Sequence, residues 1–275
     1  LQKKVKTNYP LSYLKEITET REWDGALHVT DLLNGERETY LKYVYDYGVN
    51  PDERAFIING INAHSNLSDG IGRLTVKVDG IMITGEADYI EETEDGYTLW
   101  DYKVSGSYKV AKTIGIKTRD IVLRDQFGNP EVYKSGKKAG QIKTKKETYL
   151  AEPTDEDIED YKLQLNIYRY IYTKKLNYNI TKLKIFFIVR DGGTSIALSR
   201  GVTRNTYTVD IPLMTTDEIE NFIVEKGHKL WARLKKYYYE HRIDVPPMCN
   251  AKETWDGRKC ESYCPVRDIC KNIGG

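Results

Sequence analysis

The chain has 275 residues, 40% of them apolar and 30% charged, with a mean hydropathy of −0.60; this is enough for one large core, and there is no apolar run of membrane-spanning length. With 42 Lys and Arg against 41 Asp and Glu the net charge is +1, so the molecule as a whole exerts little pull on a polyanion and only local patches can do so. The polar, lysine-containing start LQKKVKTNYP does not read as a signal peptide, and a cytoplasmic location without membrane attachment is the expectation.

Residues 10–47 read as helical with a break. Val29 to Leu33 leads through Asn34-Gly35 into Glu36 to Tyr45, where Tyr40, Leu41, Val44 and Tyr47 keep helical spacing. Asn50-Pro51-Asp52 is a turn and helix start. A helix is then expected over 54–64, with Gly60 and His64 on one side at i, i+4; a hydrogen-bonded core or surface histidine is the plain alternative for His64. After Ser68-Asp69-Gly70, the alternating RLTVKVD of 73–79 predicts a half-exposed strand. Strands at 81–90 and 97–104 would complete a three-stranded meander.

Residues 81–103, IMITGEADYIEETEDGYTLWDYK, carry the chemistry. Two β-branched and aromatic runs flank an acidic break from Glu91 to Gly96, which predicts a hairpin. Folding it sets Asp88 opposite Trp100 or Asp101, and like charges facing each other at about 5 Å repel. Asp101 and Lys103 point to one face, about 6–7 Å apart. Two carboxylates beside an ammonium suit a hard divalent cation, which takes carboxylate and carbonyl oxygens and keeps several waters. A surface hairpin with solvated charges is the alternative.

Between 109 and 146 there are eleven Lys and Arg against Asp120, Asp125 and Glu131. Such a glycine-punctuated insertion is either a solvated loop or a flap that tracks phosphates. Thr154 to Asp157 caps a helix running to about Lys175, on which Gln164 and Tyr168 share a face with Leu165, Tyr161 and Tyr172 nearby. Leu183 to Val189 is the strongest buried-strand candidate, ended by Arg190-Asp191-Gly192-Gly193, and 205–211 is a shorter strand. Thr215 to Glu218 forms a capping box for a helix to about Tyr239, with Ile219, Phe222, Ile223, Leu230, Trp231 and Leu234 as its core stripe. All four cysteines fall in the tail, Cys249, Cys260, Cys264 and Cys270, with spacing C-x10-C-x3-C-x5-C. With no secretion signal, that clustering favours a metal site over disulfides.

Taken together, these pieces resemble the RecB-like branch of the PD-(D/E)XK nucleases, which includes nucleases of CRISPR adaptation and phage recombination. Gly60-x3-His64 is similar to the family's helix-borne histidine motif and Gly85-Glu86-Ala87-Asp88 to its G-x-x-D strand. Asp101-Tyr102-Lys103 is similar to its (D/E)-x-K strand, and Gln164-x3-Tyr168 to the Q-x3-Y helix of this branch. The motifs occur in the family's order. Glu36 to Tyr43 resembles the family's Cys-Pro-Arg-x-x-Tyr-Leu-x-Tyr helix start, except that Gly35 stands at the cysteine.

The resemblance implies an α/β fold with a central mixed β-sheet flanked by helices, a restriction-endonuclease-like core. It implies a nuclease domain over 1–245 with the basic insertion at about 109–150, and a cysteine-rich metal-binding tail over 246–275. Asp88, Asp101, Lys103, His64, Gln164 and Tyr168 would be the catalytic set. His64, Asp88, Asp101 and the Tyr102 carbonyl would hold Mg²⁺ or Mn²⁺, with Glu86 as a supporting acceptor on the side of Asp88. Cys249, Cys260, Cys264 and Cys270 would hold a [4Fe–4S] cluster, or alternatively Zn²⁺. The expected function is a metal-dependent DNA exonuclease of recombination, repair or phage DNA processing. The alternatives are a site-specific endonuclease of the same superfamily and a non-catalytic DNA-binding scaffold. DNA is the expected partner, and a homo-oligomer or a recombination partner protein stays open.

Overall fold

A computed structural model describes residues 8–18 and 22–274; part of the helical stretch expected over 10–47, at 19–21, lies outside them. In chain order the elements are α1 (Leu11–Thr18), β1 (Leu27–His28), α2 (Val29–Leu33), α3 (Glu36–Val44), α4 (Pro51–Arg54), α5 (Ile57–Leu67), β2 (Leu74–Val78), β3 (Ile81–Gly85), β4 (Tyr89–Thr93) and β5 (Gly96–Ser105). They continue with α6 (Ser107–Thr113), β6 (Ile116–Val122), β7 (Thr144–Leu150), α7 (Asp155–Leu176), β8 (Ile180–Val189), α8 (Ser195–Ser199), β9 (Thr206–Ile211) and α9 (Thr216–Glu240). The tail carries α10 (Ala251–Thr254), α11 (Arg258–Ser262) and α12 (Arg267–Ile273). The fold is mixed α/β. A three-stranded sheet has the order β1-β3-β2, a four-stranded one β4-β5-β8-β9, and β6 and β7 pair by themselves. No described helix is long and apolar enough to cross a membrane.

The chain divides into two compact units. The first comprises Leu1–Tyr102, Asp160–Lys184 and Asp210–Gly275; the second comprises Lys103–Glu159 and Ile185–Val209.

In the first unit β3 pairs parallel with β1 and antiparallel with β2. Its buried Ile81 and Ile83, with Leu27 of β1, lie under α9. That helix begins as its sequence dictates, with the Thr215 hydroxyl accepting from the Glu218 N–H at 3.3 Å and the Glu218 carboxylate accepting from the Thr215 N–H at 2.7 Å. It buries Ile219, Ile223, Gly227, Leu230 and Leu234 along one stripe. Phe222 and Trp231, expected in that stripe, are only half-buried at its margin. Helix α7 is buried nearly all round, with Leu165, Ile171 and Tyr172 inaccessible. Its buried Asn166 is satisfied by the Lys162 and Pro212 carbonyls and the Met214 N–H, as a polar group without water must be.

Two expectations are corrected. The strand read over 81–90 is two strands in different sheets, β3 ending at Gly85 and β4 beginning at Tyr89, so the three-stranded meander does not form. The reason is local bonding. The Ala87 N–H, which a continuous strand would spend on a neighbour, donates to the Tyr172 hydroxyl at 3.1 Å. The helix expected over 54–64 is likewise two pieces, α4 capped by the Asn50 side chain and α5 beginning at Ile57.

In the second unit the basic insertion is an ordered antiparallel arm, β6 and β7 pairing from Ile116↔Leu150 to Val122↔Thr144. Around it, Ser107 donates through N–H and hydroxyl to Asp191 at 2.6 and 2.7 Å, and Arg200 donates to the same hydroxyl at 2.8 Å. The start of α7 is bound by Asp157, which accepts from the Thr154 N–H at 2.9 Å and from Lys117 at 2.5 Å. Those bonds hold its carboxyl at about 2 despite burial.

Candidate active site

The β4–β5 hairpin closes through Glu94-Asp95, with register Tyr89↔Trp100 and Thr93↔Gly96. Asp88 lies just before β4, and Asp101 just past Trp100, the last β5 residue paired with β4. The chain leaves β3 at Gly85 because a side chain there has no room. A Cβ would lie 2.8 Å from both the Tyr168 ring and the Val29 side chain, so glycine lets α7 approach the strand end. The break itself is bound on both sides. Tyr172 accepts from the Ala87 N–H and donates to the Gly72 carbonyl, both at 3.1 Å, and the Asp69 N–H donates to the Asp88 carbonyl at 3.0 Å.

Asp88 therefore reaches the site from a fixed backbone. It is 8% exposed and Asp101 is 2% exposed, and ionised carboxylates that deep need partners. One Asp88 oxygen contacts the Nδ1 of His64 on α5 at 2.7 Å, and the other accepts the Tyr102 N–H at 2.7 Å. The Tyr102 contact brings the Asp88 carboxylate to the β5 backbone next to Asp101. Ser68, at the end of α5, lies 3.5 Å from the oxygen that His64 holds.

From α7, Gln164 donates to the Tyr168 hydroxyl at 3.1 Å. Burial, and next the negative charges of Asp101 and Asp88, push the Tyr168 pKa well above its ordinary value. Tyr168 thus stays a protonated donor at neutral pH, in the field of both acids. Lys103 stands two positions beyond Asp101 on β5 and begins the second unit.

The structure thus brings Asp88, His64, Tyr102, Gln164 and Tyr168 together around the Asp101 position of β5. Two details differ from the sequence reading. Glu86 is exposed while Asp88 is buried, and the broken strand removes the alternation that put them on one side. Tyr172 was legible only as one more residue of the α7 face, yet it holds the break that carries Asp88. Tyr172→Phe is expected to leave the buried Ala87 N–H without its partner and to lower stability by about 1–3 kcal/mol, read as a lower denaturation midpoint.

Two carboxylates and nearby backbone carbonyls are hard oxygen donors of the kind a divalent ion takes, and the His64 imidazole is a borderline nitrogen donor beside them. Among the described residues, no three His, Cys, Asp or Glu side chains are grouped as a ready ion site. The Asp88 contacts to His64 and the Tyr102 N–H do not bar an ion, since each carboxylate oxygen carries two lone pairs.

Two of the cysteines, Cys249 and Cys270, touch the start of α3. A Cβ on Gly35 would lie 2.8 Å from the Cys249 sulfur, so Cys249 fills the space that a side chain at 35 would take. Arg37 donates to the Cys270 sulfur at 3.1 Å and to the Pro246 carbonyl at 2.7 Å. Buried Glu38 pairs with Lys259 at 2.6 Å and with Lys42. All four thiols are free and half-buried. Burial pushes the Cys249 thiol up and that of Cys264 up to about 11, and the Glu38 charge adds to both. Neither the Arg37 bonds nor the Glu38–Lys259 pair is part of the sequence reading. The one local signal is the i, i+4 pair Glu38 and Lys42.

No family model matches the chain, and no curated protein matches it. Among solved structures it is similar to the protein SSO0001, with 14% identity and a TM-score of 0.41 over 96% of this chain and 93% of that one. It is also similar to a candidate exonuclease from Eubacterium rectale, with 13% identity and a TM-score of 0.32 over 75% of this chain and 66% of that one. Likenesses this low bear on no residue of the site, whose chemistry rests on the contacts above.

Proposed function

We propose that the chain is a divalent-metal-dependent nuclease that hydrolyses DNA phosphodiester bonds from ends, with Asp88, Asp101, His64 and the Tyr102 carbonyl holding Mg²⁺ or Mn²⁺. The observation that carries this reading is the Asp88 carboxylate, bonded at once to His64 and to the Tyr102 N–H beside buried Asp101. A bound ion of this kind lowers the pKa of a coordinated water and offsets charge developing on a phosphate.

The protein groups have separate tasks. The Tyr102 N–H orients the Asp88 carboxylate, and His64 holds its other oxygen. Lys103, two positions beyond Asp101 on β5, stabilises the hydroxide form of the attacking water as a nearby cation. Gln164 aligns Tyr168, whose retained proton gives the acids or a phosphate oxygen a donor and makes the phenol no base. The sequence motifs in their order favour an end-processing exonuclease of the RecB-like branch.

The four cysteines are proposed to bind a [4Fe–4S] cluster or zinc with a structural role only, tying the tail to α3. Four cysteines within the last 27 residues, two of them touching the start of α3, support this reading, since thiolates are the soft donors either takes. Iron and zinc analysis of anaerobically purified protein tests this part. Metal lost in Cys264→Ser supports it, and a parent chain with neither metal removes it.

A gel assay with linear and covalently closed circular DNA tests the main reading. Loss of linear DNA with Mn²⁺, none in EDTA, and a resistant circle are expected. Cleavage of the circle makes it an endonuclease, and a folded chain inert on both with Mn²⁺ overturns the proposal.

A further inference from the structure

We propose that the β6–β7 arm is a grip for DNA that tracks backbone phosphates without reading sequence. The arm stands on its own residues in the second unit, apart from the ion-binding set, and shares only the substrate class with the reading above.

Three observations carry it. The first is charge. Between 116 and 150, the span of the arm, nine cationic residues meet four acids, an excess of five in a chain whose net charge is +1. The register then sorts that charge. Lys117, Arg119, Lys145 and Tyr149 share one face of the ribbon with Glu147 and Ile121, whereas Asp120 and Lys146 oppose each other on the face otherwise lined by threonines and by Ile116, Val122 and Leu150.

The second is the cost of order without a core. Every β7 residue except Glu147 is exposed, and a two-stranded ribbon that buries so little is marginal by itself. Yet backbone bonds continue beyond it, with the Glu131 N–H donating to the Leu123 carbonyl and the Lys143 N–H to the Glu131 carbonyl, both at 2.8 Å. An ordered, exposed, self-repelling arm gains most from a polyanion that releases its counterions on binding.

The third is the interleaving of rings and cations. The Arg119 guanidinium lies over the Tyr149 ring at 5.2 Å and Lys138 over Tyr133 at 5.7 Å, and Phe127 at the arm's turn is 79% exposed. Flat exposed rings among cations suit stacking bases along a phosphate chain, which an acidic peptide does not offer. Seven paired residues extend about 23 Å, room for several phosphates.

Fluorescence anisotropy with a short labelled single-stranded DNA, read in EDTA over a salt series, tests this. The triple variant Lys134→Ala, Lys137→Ala, Lys138→Ala is expected to bind about 10-fold or more weakly at moderate salt. Its dependence of log affinity on log salt should be shallower by about 2, close to 0.7 for each lost phosphate contact. Tyr149→Ala is expected to weaken binding roughly 5- to 100-fold with the salt slope unchanged. Equal thermal midpoints for parent and variants exclude misfolding as the cause. A parent chain that binds no DNA, or variants with the parent's affinity and slope, overturns the proposal. Because binding is read without metal, a chain that grips DNA through the arm but never cleaves it sinks the nuclease reading alone.

Discussion

Asp101→Ala and, separately, Lys103→Ala are expected to reduce Mn²⁺-dependent DNA cleavage by about 10³-fold or more, since an ion and its oriented water supply several kcal/mol and each 1.4 kcal/mol is about tenfold. The fold should survive both. Asp101 is buried, so its truncation to Ala is expected to lower stability by no more than an ordinary core substitution does, about 1–3 kcal/mol, read from the denaturation midpoint. Lys103 is half-buried at its strand position, and its truncation costs stability little. Rates measured at matched Mn²⁺ separate the two roles. Extra Mn²⁺ should restore part of the activity of a ligand variant and none in Lys103→Ala. A variant at either position with full activity removes that residue from the mechanism.

Gly85→Ala is expected to lower stability by about 1–3 kcal/mol and to take much of the cleavage activity with it. The added methyl meets the Tyr168 ring and the Val29 side chain at 2.8 Å. Those residues are 7% and 1% exposed, so neither has space into which to retreat. If the strand end moves, the Ala87 and Asp88 backbone moves with it. If Tyr168 moves, its bond with Gln164 is lost. Either shift changes the site, so reduced midpoint and reduced rate should travel together. Tyr168→Leu in the Gly85→Ala background should recover stability without activity. A Gly85→Ala protein with the parent's midpoint would mean that the close approach is not a constraint.

What could be read from the chain depends on how far away the cause lies. The α9 start was legible because Thr215 and Glu218 cap each other across three residues, and the β4–β5 hairpin because its turn and register are set within a dozen residues. The nearness of Asp88 to the β5 backbone at Tyr102 is likewise local to that hairpin. The break at Glu86 to Asp88 was not legible, because its cause, Tyr172, lies 85 residues away. The same holds for buried Arg37, whose partner Cys270 is 233 residues distant. In the arm, the composition told of charge, but only the pairing of β6 with β7 tells which cations share a face.

The most direct test of the central claim is a titration of Mn²⁺ into the DNA-free protein, following the free-ion electron paramagnetic resonance signal. Binding by the parent, with affinity falling sharply in Asp88→Asn and Asp101→Asn and unchanged when the arm's Lys134, Lys137 and Lys138 are replaced by Ala, is the predicted result. A parent that takes up no Mn²⁺, or variants at 88 and 101 that bind as the parent does, would contradict it.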